Sequence, residues 1–340
     1  MTLCLAGCAV RSTGCPLRSF HSRVARAPPI GGDRPAVTTG HLLSRPQGLT
    51  AKGDHHDYDQ YTTAGHLQPH HRSDHRCSGN RCEGDLPPGT VHSFPKGGVT
   101  FHTYVSPAMT VNVTSHVVEF EDQLLLVDAT FMPPTAQEVG ALIASTEKPV
   151  GQAIISHEHP DHWGGASFIE GVTFNTLPEV REGLRAEATG GQFPEPTNVL
   201  NGGDITPGMI EMSGVPVEFR HYRDNEAPHM LVAVLPDQKV AIVQDLVYNG
   251  VFFAPGVDRS NWIATLEKMR DDPAFETLLV GHGVPTSRGE LDTAIAYIKV
   301  LDDAMTNAAT PDDAIAQIKA AYPGYTGDFL LSLIEEYWSR

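Results

Sequence analysis

The sequence predicts a mixed α/β (α+β) domain, and three features carry that prediction. Short apolar runs, several with period-two alternation, recur between Val99 and Val280. Segments with apolar residues at helical spacing lie between some of them, as at Val139, Leu142 and Ile143. From Ser287 onward the pattern is helical.

Residues 1–94 read as a disordered leader. Pro, Gly, Ser, Arg and His dominate there, and no apolar period persists. Leu5-Ala6-Gly7-Cys8 resembles a lipoprotein cleavage box, but only four residues precede it, too few for a charged and an apolar region. The tract His55-His56, His66, His70-His71 and His75, with Cys77 and Cys82 nearby, has metal-binding chemistry. Order is expected from about Pro95, with a domain over 95–340.

Residues 99–105 and 111–120 alternate as half-buried strands do, with Glu121-Asp122 as the turn into a third strand, 123–127, that ends at Asp128. Pro134 opens an amphipathic helix, which leads to an apolar strand at 152–155. This strand-helix-strand passage is an αβ layer unit. A helix at 178–188 carries Val180, Leu184 and Ala188 on one face, and a long loop is expected over 190–207. Strands follow at 215–219, 231–235, 240–243 and 277–280. Ser287-x-x-Glu290 reads as a capping box for a helix reaching about Met305. Thr310-Pro311 opens another. Thr326-Gly327-Asp328 opens a last one, with Phe329, Leu330, Leu333, Ile334 and Trp338 as its apolar stripe.

The net charge is −17, unevenly spread. Residues 1–94 carry ten Lys/Arg and seven Asp/Glu, giving +3, and the remainder carries 14 and 34, giving −20. An acidic body repels phosphate backbones, so no nucleic-acid partner is expected. The sequence has no apolar run long enough to span a membrane. A soluble protein, cytoplasmic rather than anchored, acting on a small-molecule substrate, is therefore expected. All five cysteines lie at or before Cys82, so the body has neither a disulfide framework nor thiolate ligands.

The chemistry concentrates directly after the 152–155 strand, in Ser156-His157-Glu158-His159-Pro160-Asp161-His162-Trp163-Gly164-Gly165. Three imidazoles and a carboxylate on a loop at a strand's C-terminal end suit zinc or another first-row metal. His157 and His159 can converge on one ion, and Asp161 and His162 suit a second. His157-x-His159-x-Asp161-His162 resembles the signature of the metallo-β-lactamase superfamily.

That resemblance implies an αββα sandwich with C-terminal helices from about 287. It implies a site assembled from loops at strand ends: the first motif, a single His, a bridging Asp and a final His. His282 in Gly281-His282-Gly283 matches the final His, and Asp245 matches the bridging Asp, with Gln244 where Gly is usual. Asp128 matches an acidic residue that supports the loop from behind. At the single His the chain departs from the pattern: counting back from Leu235-Pro236 places Glu226 there, and His229 where Gly usually stands. Either Glu226 is the ligand, or the loop is rearranged and His229 takes over. Glu226-Ala227-Pro228 is similar to a segment of the alkylsulfatase branch, which favours Glu226 and leaves His229 lining the pocket.

The implied metal ligands are thus His157, His159, Asp161, His162, Glu226, Asp245 and His282, holding Zn2+ (two per chain), with Fe or Mn as alternatives because three carboxylates harden the site. The implied activity is hydrolysis of an ester, lactone or amide (β-lactam-like) bond by a metal-bound hydroxide, with Asp161 or Asp245 orienting it. The alternatives are an alkyl sulfate ester hydrolase and an iron-dependent oxygen- or sulfur-handling enzyme on the same fold. His221, Tyr248, Asn249 and Trp262 are the remaining candidate pocket residues.

Overall fold

The computed structural model describes residues 86–188 and 195–338. The lipobox-like stretch, the His tract and every cysteine lie outside the described residues. So does 189–194, part of the loop expected over 190–207.

Among the described residues the strands form two sheets. The first contains, in order across the sheet, β1 (Thr90–Lys96), β2 (Val99–Val105), β3 (Thr114–Glu119), β4 (Leu124–Val127) and β5 (Val150–Ile154). The second contains β6 (Gly208–Met212), β7 (Val215–Arg223), β8 (His229–Leu235), β9 (Val240–Tyr248), β10 (Thr277–His282) and the short β11 (Thr286–Ser287), neighbours in chain order. The β4–β5 and β9–β10 pairs are parallel and the others antiparallel.

Alternation along the strands builds the layers. In β4, Leu125 and Val127 point into one apolar cluster and Leu124 and Leu126 into another. In β9, Val240 and Ile242 share the cluster of Leu125, while Ala241 and Val243 face the opposite way. The shared cluster lies between the sheets, with Phe101, Val118, Phe219, Leu231 and Leu279. Outside the first sheet, α1 (Pro133–Ser145) contributes Val139 and Leu142. Outside the second, α5 (Arg259–Asp271) and α6 (Gly289–Asn307) contribute Trp262, Leu266, Leu291 and Ile298. Helix, sheet, sheet and helix make an αββα sandwich, in which removing one fully buried leucine such as Leu125 costs roughly 2–5 kcal/mol.

The remaining helices are α2 (Pro160–Trp163), α3 (Pro178–Ala188), α4 (Thr197–Leu200), α7 (Pro311–Ala321) and α8 (Asp328–Ser332). Thr310 Oγ1 accepts from the Asp313 amide at 3.1 Å, so α7 begins where the sequence places it.

Several boundaries differ from the sequence reading. Strand β1 starts at Thr90, inside the segment assigned to the leader. Its Pro95 sits on an edge strand, where a missing amide is tolerated. The strand expected from 111 begins at Thr114, because Val111 and Asn112 adopt left-handed φ values of 57° and 54°. Strand β7 runs on to Arg223, so His221 lies within it and not beyond its end. Helix α6 is capped by the backbone of Arg288; Ser287 belongs to β11 and makes no capping box. Helix α5 has no counterpart among the expected elements. The last apolar stripe is divided: Leu331 and Ile334 are buried and Phe329 is exposed. No helix of the described residues is long and apolar enough to cross a membrane.

Candidate metal centre

Strand ends from both sheets converge on one place. The loop after β5 delivers His157 and His159, and the single turn of α2 delivers Asp161 and His162; Asp245 comes from within β9, which runs on past it to Tyr248, and the end of β10 delivers His282. A bridge between Val113 and His282 ties the two sheets together there. Glu226 sits at the tip of the β7–β8 hairpin, in a loop closed by the Asp224 amide donating to Pro228 O at 3.0 Å. The Val257 amide donates to Asn225 O at 2.7 Å and holds that tip inward.

Asp128, at the end of β4 with φ 62°, organises the loop from behind. Its carboxylate accepts from the Ser156 amide at 2.7 Å, Ser156 Oγ at 2.7 Å and His162 Nδ1 at 2.8 Å, and Gln244 Nε2 donates to it as well. A carboxylate with four donors on it orients its neighbours. Three imidazoles are fixed in this manner. His162 Nδ1 is engaged by Asp128, His157 Nδ1 by Ser156 Oγ at 2.8 Å, and His282 Nδ1 by Val111 O at 2.8 Å. Each therefore turns Nε2 toward a shared space, as a tautomer-fixing partner does for a metal-binding histidine.

Two overlapping groups result. His157 Nε2 lies 3.1 Å from His159 Nδ1, 3.8 Å from Glu226 Oε2 and 3.7 Å from Asp245 Oδ2, and His159 Nδ1 lies 3.4 Å from Glu226 Oε1. In the second group His162 Nε2 is 3.8 Å and His282 Nε2 3.3 Å from Asp161 Oδ2. Asp245 reaches both groups: Oδ2 lies 3.7 Å from His157 Nε2 in the first, while in the second Oδ1 lies 3.0 Å from His162 Nε2 and Oδ2 3.3 Å from His282 Nε2. Gly281 permits that approach: a Cβ there would collide with Asp245 Oδ1. Exposure is uneven across the centre. The side chains of His157, His162 and His282 are fully buried, whereas His159 retains 34% and Asp161 18% of their exposure.

Tyr248 closes the inner wall. Its hydroxyl donates to Asp245 Oδ2 at 2.6 Å and its ring stacks on His282 at 4.8 Å. Burial and the Asp245 carboxylate hold that phenol well above its ordinary pKa, so it stays a donor. Burial together with the Asp245 charge pushes Glu226 up to about 8, although His159 opposes this. Burial alone would lower His282, but Asp245 and Asp161 push it up to about 10. Burial would raise Asp161, yet His162 and His282 hold it below the usual carboxylate range.

The donor set suits metal binding. Donors around a tetrahedral zinc with bonds of about 2.0 Å stand roughly 3.3 Å apart, within the spread of separations here. His162 Nε2, Glu226 Oε2, Asp245 Oδ1 and His282 Nε2 are buried without a hydrogen bond among the described residues, and all four point into the shared space. Orphaned buried polar atoms are costly unless another partner satisfies them.

All seven residues expected as ligands meet here. Of the expected pocket residues, Tyr248 touches the centre. Asn249 donates its amide to His282 O at 3.0 Å and Nδ2 to Val284 O at 3.0 Å. Trp262 does not line the pocket: it is fully buried behind Phe253, with Nε1 on Leu246 O at 3.0 Å, so it braces β9 from the core. His221 and His229 stand apart from the seven, grouped with Glu179.

The sequence reading missed Ser156, the Val111 carbonyl and His116. His116 is fully buried with Nε2 3.0 Å from Gln244 Oε1, and burial lowers its pKa to about 4. A Ser directly before the first His was the available signal for Ser156; nothing in the sequence marks a carbonyl.

The chain resembles solved metallo-β-lactamases. It matches the structure of a metallo-beta-lactamase from Pontibacter korlensis with a TM-score of 0.50 and 17% identity, over 62% of this chain and 99% of that one. It matches TMB-1 with a TM-score of 0.50 and 16% identity, over 63% and 98%. It matches DIM-1, exposed to ceftazidime, with a TM-score of 0.50 and 12% identity, over 63% and 98%. At such identity these likenesses establish the fold. The sequence profile of the metallo-beta-lactamase superfamily matches residues 109–282, just over half of the chain, and spans all seven converging residues. The chain belongs to the metallo-beta-lactamase superfamily.

Proposed function

We propose that this protein is a hydrolase that holds two divalent ions, zinc first and iron or manganese as alternatives, and cleaves an ester, lactone or amide bond. His157, His159 and Glu226 hold one ion, and Asp161, His162 and His282 hold the other, with Asp245 shared. The observation that carries this reading is the Asp245 carboxylate, within 3.7 Å of an imidazole from each group. When bound, such ions supply a nucleophile from water at neutral pH and polarise a substrate oxygen.

The chain's own residues account for the rest. Asp128, Ser156 and the Val111 carbonyl fix three imidazoles in one tautomer, so the donor set is preorganised. Tyr248 holds Asp245 in place. Asp161, part of whose side chain stays exposed, or Asp245 orients the attacking water.

A second reading, alkyl sulfate hydrolysis, is favoured by one observation: Glu226, first residue of the Glu-Ala-Pro segment, is the residue beside His159. One panel separates these readings. Metal-loaded protein is assayed with nitrocefin, a homoserine lactone, a thioester, a p-nitrophenyl ester and an alkyl sulfate. Turnover of an acyl compound, abolished in Asp245→Asn, is the expected result. Turnover of the sulfate alone selects the second reading. No turnover of any compound by protein shown to carry both metals contradicts both.

A further inference from the structure

Beyond the central cluster, a second set of metal donors lies between α3 and the β7–β8 hairpin. Glu179 belongs to the first turn of α3, His221 to β7, and His229 is the first residue of β8. In the antiparallel register His221 faces Leu231 and Arg223 faces His229. His221 and His229 are therefore diagonal neighbours on one face of the hairpin, a separation that long side chains span. Their rings stand 5.2 Å apart at a tilt of 46°, with Nε2 of His221 3.1 Å from Nδ1 of His229. The donor atoms of all three residues lie within 4.8 Å of one another.

We infer that Glu179, His221 and His229 form a separate, peripheral site for a divalent d-block ion, with zinc as its first choice. The His–His separation equals the 3.1 Å between His157 and His159 in the central cluster. Two imidazoles and a carboxylate suit zinc, copper or nickel, and three protein donors leave positions for water. The chain supplies the donors in usable form. Burial and Arg223 lower the pKa of His221, which keeps its imidazole neutral near pH 7. A backbone hydrogen bond and the neighbouring imidazoles and Arg223 favour the ionised Glu179. His221 and His229 are half-buried and the Glu179 side chain is 40% exposed, so all three are reachable from solvent.

Arg223 is the competitor. Its Nη2 lies 3.5 Å from Glu179 Oε1, but both side chains are substantially exposed, and such pairs contribute little. An ion here would pin α3 to the hairpin whose tip carries Glu226. The site uses none of the seven central residues, so it stands or falls independently of the proposed activity.

The test is a zinc titration of the full chain against a chromophoric chelator, comparing the parent with His221→Ala, Glu179→Gln and His157→Ala. The His-rich tract before residue 86 is common to all four proteins and cancels in the differences. The expected result is that His221→Ala and Glu179→Gln each lose one weaker equivalent and keep the tight ones. His157→Ala should show the opposite pattern, losing tight zinc and keeping the weaker equivalent. A His221→Ala protein that melts with the metal-free parent and binds as much zinc as the parent overturns the inference. A His157→Ala protein with unchanged tight zinc overturns the central site instead.

Discussion

Asp128 accepts the Nδ1–H of His162 at 2.8 Å, and this one hydrogen bond decides that Nε2 of the ring faces Asp245. The same carboxylate holds the Ser156 amide and hydroxyl, so one residue sets two of the histidines. Asp128→Asn keeps the shape but replaces an acceptor with a donor at crowded positions. Zinc affinity should fall by about 10–100-fold, the range typical of partners behind a ligand. Competition with a chelator of known affinity reads this directly, and an unchanged affinity would mean that His162 is oriented by something else.

Gln244 adopts φ 45°, a left-handed conformation disfavoured for any side chain with a Cβ. Its amide compensates by bridging Asp128 and His116. Gln244→Gly relieves the backbone and loses the bridge, whereas Gln244→Ala loses the bridge and keeps the strain. The glycine variant should therefore be the more stable of the two, by about 1 kcal/mol. Denaturant melts of both variants check the order.

Burial pushes Glu290 in α6 up to about 7 from its ordinary value of 4.5. A folded-state pKa raised in this sense favours the native state below the unfolded value, and that advantage is lost as the pH climbs from 4.5 to 7. Glu290 is only half-buried, so the discounted effect is about 1 kcal/mol. Glu290→Gln should raise the melting temperature at pH 8 and leave it nearly unchanged at pH 4. Equal shifts at both pH values would contradict the burial account.

Strand β1 pairs with β2 from Thr90 to Lys96, and the Gly89 amide donates to Glu138 Oε2 at 2.9 Å. A chain shortened to begin at residue 86 should melt with the full chain. One beginning at residue 98 loses β1, with Val91 and Phe94, and should melt more than about 5 °C lower. Calorimetry of the two truncated chains decides whether the leader expected upstream contributes to stability.

The site was legible where its chemistry is local. His157, His159, Asp161 and His162 fall within six consecutive positions after an apolar strand, so motif and context coincide. Asp245 and His282 were picked out by the family resemblance, since a hydrophobic run before each does not by itself mark a ligand. The Glu226 and His229 alternatives stayed open because counting along a hairpin cannot say which residue its tip turns inward. Helix α5 was overlooked although Asp258 caps it through the Ser260 and Asn261 amides and Trp262, Leu266 and Met269 repeat at helical spacing. Trp262 follows Asp245 in the chain and reads as pocket wall. The Glu179 cluster joins residues far apart in sequence, and no local pattern announces it.

The central claim is that Glu226, and not His229, completes the first metal group. Its most direct test is the tightly held zinc of Glu226→Gln and His229→Ala after dialysis against metal-free buffer. The account predicts that Glu226→Gln loses about one of two tight equivalents, or binds it at least 10-fold more weakly, and that His229→Ala keeps both. Retention of two tight equivalents by Glu226→Gln, with loss of one in His229→Ala, would contradict it.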